Sequence, residues 1–471
     1  MTEVKRKLLA GFEGAITLSE SGVEISEIRA FQSEAMDRLV FDAVFADETT
    51  RDAARALIWD LAQAAGSRPA SIHDLYLARG RGDVAGFTVP AINVRMMAYD
   101  TARAVFRAAR ARNAGAILLE IARSEIAYTD QRPAEYVAVM LGAALREGFH
   151  HPVFIQGDHC QVNPKKYAAD AEAEVGEVKK LIAEEVAAGF YNIDVDTSTL
   201  VDLSYETLDE QQRANYERAS EITQFIRTHE PDGVTVSVGA EIGEVGHKNS
   251  TVEELHAFMD GFNRTMAESG PAAGISKISV QTGTSHGGIV LPDGSIAAVK
   301  LDLEALEALS TSARDDYGLG GAVQHGASTL PGDAFGNFPR IETAEIHLAT
   351  NFQNMVFDHP ALPAELRSRM YAWLDENAAG ERGANDSDEQ FYYKTRKKAI
   401  GQFKRELWEL PAEVRGQIGA SLEETFGFLF DQLKVGGTSE VVSQYISAPA
   451  IRHGALAKVN ALAEDDPDAG E

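Results

Sequence analysis

A single cysteine, Cys160, excludes any disulfide within this chain of 471 residues and fits a reducing compartment. Long apolar runs are missing too: no stretch approaches the roughly 20 residues that a membrane helix needs. The basic opening Met1 to Lys7 is not followed by the apolar segment and small-residue cleavage site of a secretory leader. The chain therefore reads as cytoplasmic. Positive charge is scarce, with 44 Lys+Arg against 72 Asp+Glu and a formal charge of -28. Such a balance repels nucleic acid and anionic membrane surfaces. An anionic ligand would have to be met by a locally basic or amide-lined pocket.

What is present is an ordinary globular composition, 44% hydrophobic and 25% charged, in a length that allows two to four domains or one barrel with additions. Residues 1–70 read as a helical extension, with Phe31, Met36, Leu39, Val40 and Val44 at helical spacing and a second amphipathic run from Ala53 to Ala65. Gly66 to Pro69 makes a break. Eight short strand-like runs follow, beginning near Phe87, Ala116, Pro152, Tyr191, Val234, Lys277, Ala322 and Ala344, mostly separated by amphipathic helices. Parallel neighbours need crossover helices and eight strands close a sheet, so residues 71–360 are expected to form a (β/α)8 TIM barrel, an α/β fold. A doubly wound open sheet is the rival. The seventh helix should be short or irregular, because Pro331, Gly332, Gly336 and Pro339 fall in it. Residues 361–471 read as a C-terminal helical region ending in an acidic, frayed tail.

Polar groups collect at the ends of these strands. The run Pro152-Val-Phe-Ile-Gln-Gly ends in Asp158-His159-Cys160, His286 follows the sixth strand in Thr284-Ser-His286-Gly-Gly, and His325 ends the seventh in Gln324-His325-Gly-Ala-Ser328. In a barrel the carboxyl ends of the strands form one mouth. A lone histidine is more often structural than ligating. Three at one rim can converge on a divalent transition metal and leave a position open for substrate.

Together with Asp196-Thr-Ser198 and Gly239-Ala-Glu241-Ile-Gly, these motifs resemble the class II metal-dependent fructose-bisphosphate aldolases, over about Ser71 to Asn351 and more weakly into Tyr392-Tyr-Lys-Thr-Arg396. The resemblance implies a (β/α)8 barrel and a zinc-dependent lyase, using Zn2+ or another divalent transition metal. Such an enzyme reversibly cleaves a ketose phosphate to a dihydroxyacetone-phosphate-like ketone and an aldehyde. It implies His159, His286 and His325 as metal ligands and Asp158 as the acid that moves the proton of the C4 hydroxyl. Asp196 and Glu241 match carboxylates near the metal that the family uses behind its ligands or as alternate ligands, with helix capping or salt bridging as their plain alternative. Gly287, Gly326, Ser328 and Thr350 match phosphate contacts, where successive backbone N–H groups bind an anion without net basic charge. Asn93 matches a substrate-contacting asparagine, or else is a turn residue, and Arg396 matches an arginine for the distal phosphate.

Departures from the family pattern are also present. The loop after Glu241 reads Ile242-Gly-Glu244-Val-Gly-His247, with no acid where the family carries its base for the C3 proton. Glu244 is the first candidate for that role and His247 the second. His347 and Ala349 stand where the family usually has Asn and Asp. A non-catalytic barrel subunit that stabilises a partner is the alternative, though a scaffold has no need of Asp158 and three histidines. A metal-dependent hydrolase commonly uses His-x-His on the first strand, and here that strand offers Asn93-Val-Arg95. The expected partners are a small sugar phosphate and further copies of the chain, in a homodimer or larger homo-oligomer.

Overall fold

The computed structural model describes residues 3–19, 22–243, 248–283, 291, 301–452 and 463–466. Eight parallel strands close into a barrel: β1 (Val89–Asn93), β2 (Leu118–Ala122), β3 (Val153–Gln161), β4 (Asn192–Asp196), β5 (Ser237–Glu241), β6 (Lys277–Val280), β7 (Ala322–Gln324) and β8 (Glu345–Leu348). Each pairs with its sequence neighbour, and β8 returns to β1 with Glu345 beside Val89 and Leu348 beside Ile92. No sheet edge is left among them, which removes the rival open sheet. Their residues are buried, as expected of strands covered by helices outside and side chains inside.

The crossovers are the amphipathic runs seen in the sequence, here Ala98–Arg112, Pro133–Glu147, Ala171–Ala188, Leu208–Arg227, Val252–Glu268 and Leu303–Asp315. Helix Ala171–Ala188 is separated from the short helix Pro164–Ala169 at Asp170, whose carboxylate accepts the Ala173 N–H at 3.1 Å and starts the new helix. The seventh crossover shrinks to a 3-10 turn at Gly332–Ala334 and a four-residue helix at Asn337–Arg340, as its prolines and glycines require.

The N-terminal extension contains an antiparallel hairpin, Ile16–Ser19 with Gly22–Ile25, ahead of helices Glu34–Phe45 and Glu48–Ala65. The second helix starts on an Asp47 cap and stops at Gly66, which takes φ +86°. Beneath the barrel the Asn192 amide closes the floor, accepting the Ile72 N–H at 2.9 Å and donating to Ala70 and Ile155 carbonyls at 3.1 and 3.0 Å.

In the C-terminal region, helix Ala412–Gln432 lies along Ala98–Arg112 and is tied to it by Arg107 to Glu423 at 2.5 Å and Arg112 to Asp431 at 2.7 Å. From Asp388 to Trp408 the chain is helical in short pieces, Asp388–Thr395, Ala399–Gln402 and Lys404–Trp408, with a 3-10 turn at Arg396–Lys398. The acidic tail corrects the sequence reading. Rather than fraying throughout, it is pinned at Asp465, 2.8 Å from Arg132, and at Asp466, which is buried 3.0 Å from Lys166 and 3.6 Å from Arg123. Among the described residues, no helix is long and apolar enough to cross a membrane.

Candidate functional site

In a regular strand Asp158 and His159 would point to opposite faces. Here Gly157 pairs with Ile193 and Cys160 with Val195, so three steps on β3 oppose two on β4 and one residue is extra. This bulge, with His159 at φ +41°, lets both side chains serve the mouth. Both are buried. Cys160 lies on the opposite side, its thiol 3.3 Å from Glu185.

His159 Nε2 lies 2.6 Å from His325 Nδ1, with the rings nearly perpendicular at 77°. On its far side, His159 Nδ1 is 3.2 Å from Asp196 Oδ2 and 3.7 Å from Glu241 Oε2. Asp196 is fixed by the Gln161 amide at 2.6 Å, the Ser198 N–H at 3.1 Å and the Ser198 hydroxyl at 2.7 Å. A carboxylate behind an imidazole sets its tautomer and ring orientation, the usual support of a metal-binding histidine. Ser279 Oγ stands 3.1 Å from His325 Nε2.

The electrostatics call for positive charge. Burial alone would lower the His159 imidazole, but Asp158, Asp196 and Glu241 outweigh it and hold it well above the ordinary histidine value. Burial likewise opposes ionisation of Asp196, yet its hydrogen bond to His159 and those from Gln161 and Ser198 keep it below the usual carboxylate range. Donor atoms of His159, Glu241 and His325 lie within 4.8 Å of one another, as do those of Asp158, His325 and His347. Two imidazoles and a carboxylate so close together suit a divalent transition metal.

Sequence reading missed a buried ionic cluster inside the barrel. His347 on β8 places Nδ1 3.1 Å from Asp158 Oδ1 and 3.2 Å from Glu120 Oε2, and Nε2 2.7 Å from Glu345 Oε1. Lys277 donates to Glu345, Gln156 and Asp194, and Tyr76 donates to Glu345. Burial would raise Glu345, but Lys277 and His347 hold it down to about 2. Glu120 instead is pushed well above its ordinary value by burial and by the charge of Asp158. The signal was present: Glu120, Asp194, Lys277 and Glu345 are charged residues set directly beside Leu, Ile or Val in buried strands.

At the rim Asn93 donates to Glu125 at 2.6 Å and accepts from Arg95 at 3.1 Å, while Arg95 also pairs with Glu125. Gly326 takes φ +66° to open the turn after β7. Ser328 Oγ accepts the Ala349 N–H at 2.6 Å, joining that turn to the end of β8. Thr350 begins helix Thr350–Phe357. Arg396 is held by both oxygens of Asp358, at 2.8 and 3.1 Å, with Phe357 and Tyr393 rings each 5.1 Å from its guanidinium. Burial and nearby Arg95 lower its neighbour Lys397 to about 7. The structure thus brings together Asp158, His159, Asp196, Glu241 and His325, and engages Arg396 with Asp358. His286, Gly287, Glu244 and His247 lie outside the described residues.

Residues 81–407 match the family described as fructose-bisphosphate aldolase class-II. No curated protein matches the chain. Among solved structures, a glycerol complex of fructuronate-tagaturonate epimerase UxaE from Cohnella laeviribosi is similar over 91% of this chain and 90% of its own, at 15% identity and a TM-score of 0.51. The fructose-bisphosphate aldolase Fba from Campylobacter jejuni is similar over 77% of this chain and 92% of its own, at 17% identity and a TM-score of 0.42.

Proposed function

The chain belongs to the class-II fructose-bisphosphate aldolase family, and from that membership we propose that it is a divalent-metal-dependent aldolase acting on a ketose phosphate. It cleaves the C3–C4 bond reversibly, giving a dihydroxyacetone-phosphate-like ketone and an aldehyde. The observation that carries this reading is the convergence of His159, His325 and Glu241 beside Asp158 at one end of the barrel. His159 and His325 would hold the cation, with Glu241 at hand and His286 as the third imidazole. Zinc is the first candidate. When bound, such an ion acts as a Lewis acid toward the substrate ketone.

The chain's own residues supply the rest. Asp158 takes the proton of the C4 hydroxyl as the bond breaks and returns it in the reverse direction, work suited to a buried carboxylate within hydrogen-bond reach of a substrate hydroxyl. Asp196 keeps His159 oriented through Nδ1. Asn93, presented by Arg95 and Glu125, contacts the ketose. Gly287, Gly326, Ser328 and Thr350 offer amides and hydroxyls to a phosphate, which avoids any need for a basic surface. For Arg396 to take the distal phosphate it must exchange the Asp358 carboxylate for it. The C3 proton falls to Glu244, or failing that to His247.

A second reading is inversion of a hydroxyl-bearing carbon in a sugar acid, by cleavage and re-addition to the other face of the aldehyde. The absence of the family's Asp at Ala349 favours a substrate end other than the usual phosphate, and the fold neighbour from Cohnella laeviribosi is named for an epimerase. A panel of ketose mono- and bisphosphates and ketohexuronates, assayed with zinc, cobalt and manganese, decides between them. Metal-dependent release of an aldehyde supports the aldolase, and isomer formation without release supports the epimerase. Metal-free protein inert toward every compound leaves the non-catalytic subunit.

A further inference from the structure

Asp158 faces two competing demands. Its Oδ1 lies 3.9 Å from His159 Nε2, so a side-chain rotation would bring it to any cation shared by His159 and His325. Cations of this kind accept carboxylate ligands readily. A ligated carboxylate has surrendered the lone pair that a base needs. Another group has to oppose that rotation.

His347 is placed to do so. Its Nδ1 meets Asp158 and Glu120, and its Nε2 meets Glu345 at 2.7 Å and Asp194 at 3.6 Å. Asp158 Oδ1 and Glu345 Oε1 lie within hydrogen-bond distance of its two ring nitrogens, at 3.1 and 2.7 Å, so one imidazole bridges the two carboxyl groups. The ring is held on its face as well, stacked on His325 with centroids 4.1 Å apart and planes 19° from parallel. Behind it Glu345 is fixed by Lys277 Nζ at 2.5 Å and by the Tyr76 hydroxyl. Asp158 is therefore moored, through one imidazole, to a rigid buried lattice.

We infer that His347 is a positioning residue: its Nδ1–H holds the Asp158 carboxylate off the metal and aimed at the substrate hydroxyl. The inference deepens the aldolase reading and rests on it. An asparagine, as the family usually has here, carries a donor on one side only and cannot brace Asp158 against Glu345 in this way. His347 thus couples the acid/base to the charged interior that this chain has built.

The test compares His347→Leu, which fills space without donors, with His347→Asn, which restores one donor. In His347→Leu, bound zinc stays at full stoichiometry, and cleavage of a ketose phosphate turned over by the wild type falls about 100-fold or more, the scale of a lost general base. Exchange of the α-protons of dihydroxyacetone phosphate in D2O, which involves no C4 hydroxyl, stays within about threefold, and His347→Asn recovers about tenfold of the cleavage. In cobalt-loaded protein the visible spectrum shifts in His347→Leu, as Asp158 gains the ion, and reverts in the double variant with Asp158→Asn. Loss of metal from His347→Leu would make His347 a ligand and overturn the inference. Parallel loss of cleavage and exchange, or unimpaired cleavage, overturns it too. If the wild type cleaves no ketose phosphate, the aldolase reading falls separately, and the cobalt spectra alone decide: an unshifted His347→Leu spectrum then refutes the positioning role.

Discussion

The Lys277 ammonium rests 2.5 Å from the Glu345 carboxylate in the centre of the barrel, and neither side chain is exposed. Asp194 stands 2.9 Å away on the other side. Burial disfavours the lysine's charge, yet Asp194 and Glu345 overcome this and raise its pKa. Removing one member of a buried pair leaves the rest uncompensated, at a cost of about 3–5 kcal/mol. Lys277→Met is therefore expected to lower the unfolding midpoint strongly. Pairing it with Glu345→Gln should restore part of the loss, because one orphaned carboxylate is gone. Thermal unfolding of the single and double variants checks this; additive losses would show that the charges do not interact.

His159→Ala and His325→Ala should each release the metal and abolish activity together. The two imidazoles approach within 2.6 Å and share one point, so neither position can be filled by the other. Metal content measured on purified variants, alongside cleavage rates, decides it. Retention of metal at full stoichiometry in either variant would remove that histidine from the ligand set.

Asp158→Asn should separate chemistry from metal binding. Its carboxylate lies 3.1 Å from His347 and 3.9 Å from His159, beside the proposed ion but facing the acid/base position. Metal stays bound while cleavage slows by about 10²–10⁴-fold, the usual contribution of general acid–base catalysis. A variant with wild-type turnover would assign the proton transfer elsewhere.

The strands were legible because parallel strands buried on both faces read as short β-branched runs, and their crossovers as amphipathic helices. His159 and His325 could be placed at the mouth for the same reason, since strand ends fix position. The bulge at Asp158 could not be read, because an extra residue is defined by its pairing with β4, which lies far along the chain. Nor could the mooring of Asp158: His347, Glu120, Asp194 and Lys277 come from four strands and meet only when the barrel closes. The pinned tail escaped notice because an acidic terminus reads as solvated until Arg123 and Lys166 are seen beside it.

A pH dependence follows from Glu185, on helix Ala171–Ala188 against the outer face of β3. Burial pushes its carboxyl up to about 8, its Oε2 touches the Cys160 thiol, and its Oε1 has no hydrogen-bond partner among the described residues. In the unfolded chain it ionises near the ordinary glutamate value of 4.5. Between those two values the folded state holds one more proton than the unfolded state, so stability is greatest below the lower value and falls as pH rises toward 8. The slope is about 1.4 kcal/mol per pH unit for one proton. Glu185→Gln, which keeps the shape and stays neutral, should match the wild type near pH 5 and become progressively more stable than it up to pH 8. Chemical denaturation at several pH values measures the difference. A gap that does not widen with pH would mean that Glu185 is already ionised in the folded protein.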